Sequence, residues 1–135
     1  MYDSILVPTD GSAVAERAGE YGCSLAERFD AVLHAVHVDE EPTLIGSDDE
    51  PSGESAVDAI AELATERDVD VTTAVRDGDD SVHREILDHA DASDADAIVM
   101  GTHGRSGAQR LIIGSVAEKV VRRSPVPVVT VRPST

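Results

Sequence analysis

Five short runs rich in β-branched residues alternate with four amphipathic stretches, and each pair of runs is separated by a helix-length segment. The first run is Tyr2 to Val7, followed by a helical pattern from about Ser12 to Phe29 with Val14, Ala18, Tyr21 and Leu25 on one stripe. Ala31 to Val38 reads as the second strand. A second helix spans roughly Ser55 to Arg67, with Val57, Ile60, Ala61 and Ala64 inward. From Val69 to Val75 valines alternate with polar residues, as on a half-exposed or edge strand. Ser81 to Ala90 forms a third helix through Val82, Ile86 and Leu87. Ala97 to Met100 is wholly apolar, the pattern of a central parallel strand covered on both faces. A helix from about Ser115 to Arg123 and a strand from Val126 to Val131 complete the series.

Strands joined through helices pair in parallel, and right-handed crossovers leave few topologies open. With 135 residues there is room for one core. The expected architecture is therefore a single α/β domain over residues 1–135, a doubly wound parallel five-stranded sheet with helices on both faces. Strand order 3-2-1-4-5 fits, because the first and fourth strands look most buried. The sheet then reverses direction between strands one and four, and ligands bind beyond the carboxyl ends of the strands at such a point. The expected site is Val7-Pro8-Thr9-Asp10 facing Met100-Gly101.

Composition narrows the function classes. Aromatic residues are 2% and Trp is absent, so the core is built from Val, Ile, Leu and Ala. The 27 acidic residues against 11 basic ones give a net charge of −16, which argues against a nucleic-acid partner. No apolar run approaches the ~20 residues of a membrane span. The lone Cys23 excludes an internal disulfide framework, the first residues show no signal-peptide pattern, and the expected location is the cytoplasm. Lys119 is the single lysine among the 11 bases. An acidic, lysine-poor surface points to a halophilic protein, since at ~1 M salt the screening length is only ~3 Å. Residues 39–53 (DEEPTLIGSDDEPSG) are expected to form a flexible acidic loop, with a lid through Leu44 and Ile45 as the alternative.

The chemistry-bearing stretch runs Gly101-Thr102-His103-Gly104-Arg105-Ser106-Gly107 and on to Gly114-Ser115-Val116-Ala117-Glu118. Glycines after a buried strand allow tight turning and close approach to a ligand. A helix start at Gly114-Ser115 offers unpaired N–H groups and a partial positive charge suited to phosphate. Neither the P-loop nor the dinucleotide spacing is present. Ser115 and Glu118 also have capping-box spacing, so a plain capped helix start explains the same residues. Charge favours an anion here. Residues 1–100 hold five Arg against 26 acids, −21, whereas residues 101–135 hold six bases against Glu118 alone, +5. The other candidates are weaker. His34 and His37 fall on opposite faces of a strand, His83 and His89 on poorly matched faces of a helix, His103 reads as an exposed loop residue and Cys23 as an inert thiol. No Ser-His-Asp or Cys-His arrangement occurs.

The pattern G-x2-G-x9-G-[S/T], here Gly101, Gly104, Gly114 and Ser115, resembles the nucleotide loop of the ATP-binding universal stress proteins. The likeness extends through ILVPTDGS at the start and GSVAEKVVRRSPVPVVTVRP at the end. It implies that Pro8, Thr9 and Asp10 meet the nucleotide, with Asp10 on the ribose side. Asp10 also suits a purely local turn bond to the following backbone. The backbone at Val38 would lie near adenine, while Met100, Gly101 and Gly104 would border ribose and phosphates. Gly114, Ser115 and Val116 would hold the phosphates, with Arg105 in reach. Mg2+ would arrive with the phosphates. Pro127 confines the last strand to an edge, and an edge invites pairing with a second copy. The resemblance places the homodimer contact at Val128–Val131.

The expected function is ATP or other adenine-nucleotide binding by a homodimeric stress-response sensor with little or no hydrolysis. A phosphate cradle is legible in the sequence, and a base to activate water is not. The alternatives are a slow ATPase or autophosphorylating phosphotransferase using Asp10 or Ser115, and a dimeric interaction module that takes no ligand.

Overall fold

A computed structural model describes residues 2–39, 53–77, 81–103 and 113–133. The order of elements is β1 (Ser4–Pro8), α1 (Ala13–Phe29), β2 (Val32–Asp39), α2 (Gly53–Glu66), β3 (Val71–Asp77), α3 (Val82–Ala92), β4 (Ala97–Gly101), α4 (Ser115–Arg123) and β5 (Val128–Val131). The five strands form one parallel sheet in the order β3-β2-β1-β4-β5, the topology expected from the alternation. The expected loop lies almost wholly outside the described residues, which stop at Asp39 and resume at Gly53.

Alternation along each strand divides the core between two faces. On one face Ile5, Val7, Leu33, Ala35, Val99 and Val131 pack against Ala18, Cys23 and Ala26 of α1 and Val57, Ile60 and Ala64 of α2. On the other, Leu6, Val36, Val38, Ile98 and Met100 pack against Ile86 and Ala90 of α3 and Ala117 and Val120 of α4. Every residue of β1 is buried, as expected of a central strand. Among the described residues no helix is long and apolar enough to cross a membrane.

The inward stripe of α1 differs from the expected one. Its buried residues are Val14, Ala15, Ala18, Gly19, Gly22, Cys23 and Ala26, whereas Tyr21 is 48% exposed. Small residues let the helix lie close on the sheet: a Cβ on Gly22 would stand 2.6 Å from a Val7 methyl. No ring fits into that gap. Tyr21 instead sits outside, with the Arg17 guanidinium 5.6 Å from its centroid.

Three helices end alike, and two strands start later than the sequence pattern predicts. Asp30, Asp68 and Asp94 take left-handed backbone with φ of 55°, 57° and 52°. The next residue then donates its N–H back across the turn: Ala31 to Ala26, Val69 to Ala64, Ala95 to Ala90. This is the helix-closing geometry that glycine usually supplies. Because the Val69 N–H closes α2, β3 starts at Val71 rather than Val69. Strand β5 starts at Val128 rather than Val126, because Ser124 and Val126 bond each other in a turn and Pro127 has no N–H.

Cys23 is fully buried, and burial raises its thiol pKa above the ordinary value, with Glu20 and Glu27 adding to burial and Arg67 opposing it. The thiol is therefore protonated and shielded. Ellman's reagent at pH 8 is expected to find no reactive thiol in the folded protein and one after unfolding.

Candidate functional site

Strands β1 and β4 pair only at Ile5 with Ala97 and Leu6 with Ile98, whereas β1 and β2 stay in register as far as Pro8 with Val36. Beyond Leu6 and Ile98 the two central strands no longer pair, and their carboxyl ends mark the switch point of the sheet, where a ligand crevice is expected. One wall is the turn into α1. The Thr9 N–H donates to the Val36 carbonyl at 2.8 Å, which holds this turn on β2. Gly11, with φ 82°, then redirects the chain as few other residues can. Three side chains lock it. Thr9 Oγ1 accepts from the Gly11 N–H at 3.1 Å, Asp10 Oδ1 from Ser12 at 2.9 Å, and Ser12 Oγ caps α1 through Ala15 at 3.2 Å. Asp10 is thus half-buried and makes the local turn bond.

The other wall is the start of α4. The Thr102 N–H donates to the Val131 carbonyl at 2.9 Å, and the Gly114 N–H donates to the Thr102 carbonyl at 2.7 Å. These bonds pin Gly114 to the carboxyl ends of β4 and β5. Gly114 is the N-cap, with φ −64° and ψ 156°, and as a glycine it supplies no side-chain cap of its own. Its carbonyl takes the first helical bond, from Glu118 at 2.9 Å. The Ser115–Glu118 capping box is therefore not formed: Ser115 is already the first helical residue, one position too late to act as cap. The amides of Ser115, Val116 and Ala117 are left at the positive end of the helix without a side-chain acceptor from the cap.

Of the residues expected at the site, Pro8, Thr9, Val38 and Met100 are buried, Asp10, Gly101, Gly114 and Val116 are half-buried, and Ser115 is exposed. Gly104 and Arg105 lie outside the described residues. The side chains of Val38 and Met100 belong to the α3/α4 core, so only their backbones are available to a ligand. Gly101 has a packing role: a Cβ there would lie 3.1 and 3.2 Å from the Val14 methyls. His103, expected to be exposed, is 9% exposed, with Nδ1 2.7 Å from Thr102 Oγ1.

On sequence alone His37 is a rejected metal-ligand candidate, whereas in the fold it stands between the Thr9 turn and Asp39. Nδ1 of His37 donates to the Thr9 carbonyl at 2.8 Å, and Nε2 lies 3.0 Å from Asp39 Oδ1. Its signal was there in the alternation, since His37 shares the inner face with Leu33 and Ala35.

The other histidines lie elsewhere. His89 Nδ1 is 3.2 Å from Arg76 Nη1, and Arg76 Nε also donates to Glu85 at 2.9 Å. Burial lowers the His89 pKa, and Arg76 and His34 add to this. His83 accepts from Arg123 Nη1 at 3.2 Å, and burial lowers its pKa with Arg123, Lys119 and Arg84. Among the described residues no three His, Cys, Asp or Glu side chains converge on a metal position.

The six bases after residue 100 are spread over several places, Lys119 within α4 and Arg132 just after β5 among them. Arg105 and Arg110 lie outside the described residues. Arg122 and Arg123 occupy the last turn of α4, where cations suit the helix dipole, and Arg122 pairs with Glu118. That part of the +5 is helix-terminus chemistry rather than ligand chemistry. A hollow of about 280 Å³ between α3 and the chain entering β5, lined by Asp91, Asp94 and Asp96 among others, sits at the opposite end of the sheet. Asp96 is structural, accepting from the Asp3 and Ser4 amides.

Residues 1–132 match the family model described as the universal stress protein family. A universal stress protein of Methanocaldococcus jannaschii is 33% identical, with 98% of this chain and 83% of that protein covered. Among solved structures, a universal stress protein from Archaeoglobus fulgidus superposes with a TM-score of 0.82 at 25% identity, covering 98% of this chain and all of the other. A universal stress protein in complex with cAMP aligns at 0.70 and 26% identity over 97% of each chain. An Archaeoglobus fulgidus member in complex with dAMP, 23% identical and covering 97% and 98%, shares the fold at 0.77.

Proposed function

The chain belongs to the universal stress protein family, and from that premise we propose that it binds an adenine nucleotide, ATP foremost, as a homodimeric binding module of a stress response. The observation that carries this reading is the start of α4. It is anchored by backbone bonds at the carboxyl ends of β4 and β5, and its glycine cap supplies no side-chain acceptor of its own. An anionic ligand is the natural partner for such amides. The cAMP complex of a related protein supports adenine as the base. In this reading Gly114, Ser115 and Val116 hold the phosphates with Arg105. Asp10 meets the ribose, Pro8 and Thr9 line the turn, and Val38 presents backbone to adenine. Met100, Gly101 and Gly104 border the ribose and phosphates. Mg2+ would come with the nucleotide.

The chain's own contribution is binding and orientation. We read the chain as a sensor rather than an efficient hydrolase, because the sequence offers a phosphate cradle and no recognisable base to activate water. Strand β5 supports the dimer: it is a sheet edge on which Val129 is 40% exposed. The expected partner is a second copy through Val128–Val131, and the expected location remains the cytoplasm.

Equilibrium titration with ATP in multimolar KCl is expected to saturate at one nucleotide per protomer. Native mass spectrometry of freshly purified protein should show a co-purifying adenine nucleotide. Phosphate release is expected well below the ~1–10³ s⁻¹ of ordinary enzymes. A flat titration removes the nucleotide reading, and rapid release sensitive to substitution at Asp10 or Ser115 replaces it with the enzymatic one.

A further inference from the structure

His37 joins two segments of the crevice that the chain itself does not connect. Its Nδ1 reaches the Thr9 carbonyl at 2.8 Å, in the turn from β1, and its Nε2 reaches Asp39 Oδ1 at 3.0 Å, on the far side of Val38. A carbonyl oxygen only accepts, so Nδ1 carries a proton. An ionised carboxylate also only accepts, so the contact at Nε2 requires a proton there too. Both bonds exist together only in the imidazolium. We propose that imidazolium His37 is a positioning residue for the nucleotide, locking the Thr9 turn and the Val38 strand end in binding geometry so that affinity rises as His37 gains its proton. This rests on the nucleotide reading above.

The surroundings favour that arrangement. The ring is confined: a Cβ on Gly53, the first residue of α2, would stand 2.6 Å from its Cδ2 and 3.2 Å from a Val75 methyl of β3. Each adjoining element brings an acid to this end of the sheet. Asp39 lies on its own strand, Asp77 is opposite Asp39 in the β2–β3 register, Glu54 follows Gly53 and Asp10 follows Thr9. Two acids directly opposite each other are unfavourable, and a cation beside them offsets that repulsion. The nearest base along β3, Arg76, is engaged with Glu85 and His89 of α3 on the other face. Once His37 is neutral with its proton on Nδ1, a bare nitrogen lone pair faces Asp39 and the clamp opens.

The test is calorimetric titration of the full chain with ATP at pH 5.5 and 8.5 in multimolar KCl, on wild type, His37→Asn and Asp39→Ala. Asparagine places an amide N–H where Nδ1–H sits, keeping the Thr9 bond without the titration. The titration of ATP itself is common to all three proteins. Wild-type affinity is expected to fall between the two pH values about tenfold more than that of His37→Asn. Asp39→Ala, at an exposed strand end, should show the same reduced pH dependence as His37→Asn. Nitrogen-15 NMR of the imidazole in ligand-free wild type should report protons on both nitrogens at pH 5.5. Parallel affinity profiles in folded wild type and Asp39→Ala overturn the proposal and leave nucleotide binding standing. Absence of saturable binding by wild type at both pH values overturns the nucleotide reading and this inference with it.

Discussion

Gly114→Asp is expected to abolish adenine-nucleotide binding while leaving the fold at least as stable as wild type. The backbone at this position, φ −64° and ψ 156°, is open to any residue. Aspartate is a good N-cap and glycine nearly as good, so the substitution gains only a few tenths of a kcal/mol from capping. A carboxylate at the positive end of α4 adds about 0.3–1 kcal/mol. The same carboxylate takes the amides that would otherwise receive phosphate, and it repels whatever anion remains. A loss of about 100-fold or more in ATP affinity is expected, about 2.8 kcal/mol at 1.4 per factor of ten. Gly114→Ala separates the two effects. It leaves the amides free but is a poor cap, so it should lose up to ~1 kcal/mol of stability and keep most of its binding. Titration calorimetry and thermal melts in one buffer read both quantities. Gly114→Asp binding ATP as wild type does would place the phosphates elsewhere.

That contrast exists because the start of α4 was ambiguous in the sequence. Ser115 and Glu118 have capping-box spacing, and only the backbone of Gly114 reveals that the cap falls one residue earlier. Periodicity locates a helix within a residue or two, while a capping argument turns on a single residue. Topology was readable for the converse reason. Strand order follows from which runs are apolar on both faces, and a shift of two residues at Val69 or Val126 does not change it. The inward stripe of α1 was misread at Tyr21 because hydrophobicity was weighed without size. What decides that face is how closely Gly19 and Gly22 bring the helix to Ile60 and Val7. The alternation places His37 on the inner face, but its bond to Thr9 was not legible, since the two residues meet only through tertiary contact.

Replacing Ile98 by Ala should be the most damaging single truncation near the site, and its severity should depend on salt. Ile98 has no exposed surface, pairs with Leu6 where β1 and β4 last touch, and packs among Leu6, Ile86 and Val120. Truncating such a side chain costs about 3–4 kcal/mol, against a total of about 5–15 for a domain. The chain also carries −16. At 0.1 M salt, charges within ~10 Å repel with little screening, whereas at 1 M the range falls to ~3 Å. If the acidic surface is an adaptation to salt, wild type melts at a higher temperature in 3 M than in 0.1 M KCl. Ile98→Ala is then largely unfolded in 0.1 M KCl and regains a cooperative transition in 3 M, about 10–15 °C below wild type. An apolar side chain in the core and a field over the surface should act independently. The gap between the two proteins in denaturant titrations should therefore be nearly the same at every salt concentration at which both fold. A wild-type melting temperature indifferent to KCl rejects the salt reading of the acid, and a gap that closes as salt rises rejects the independence.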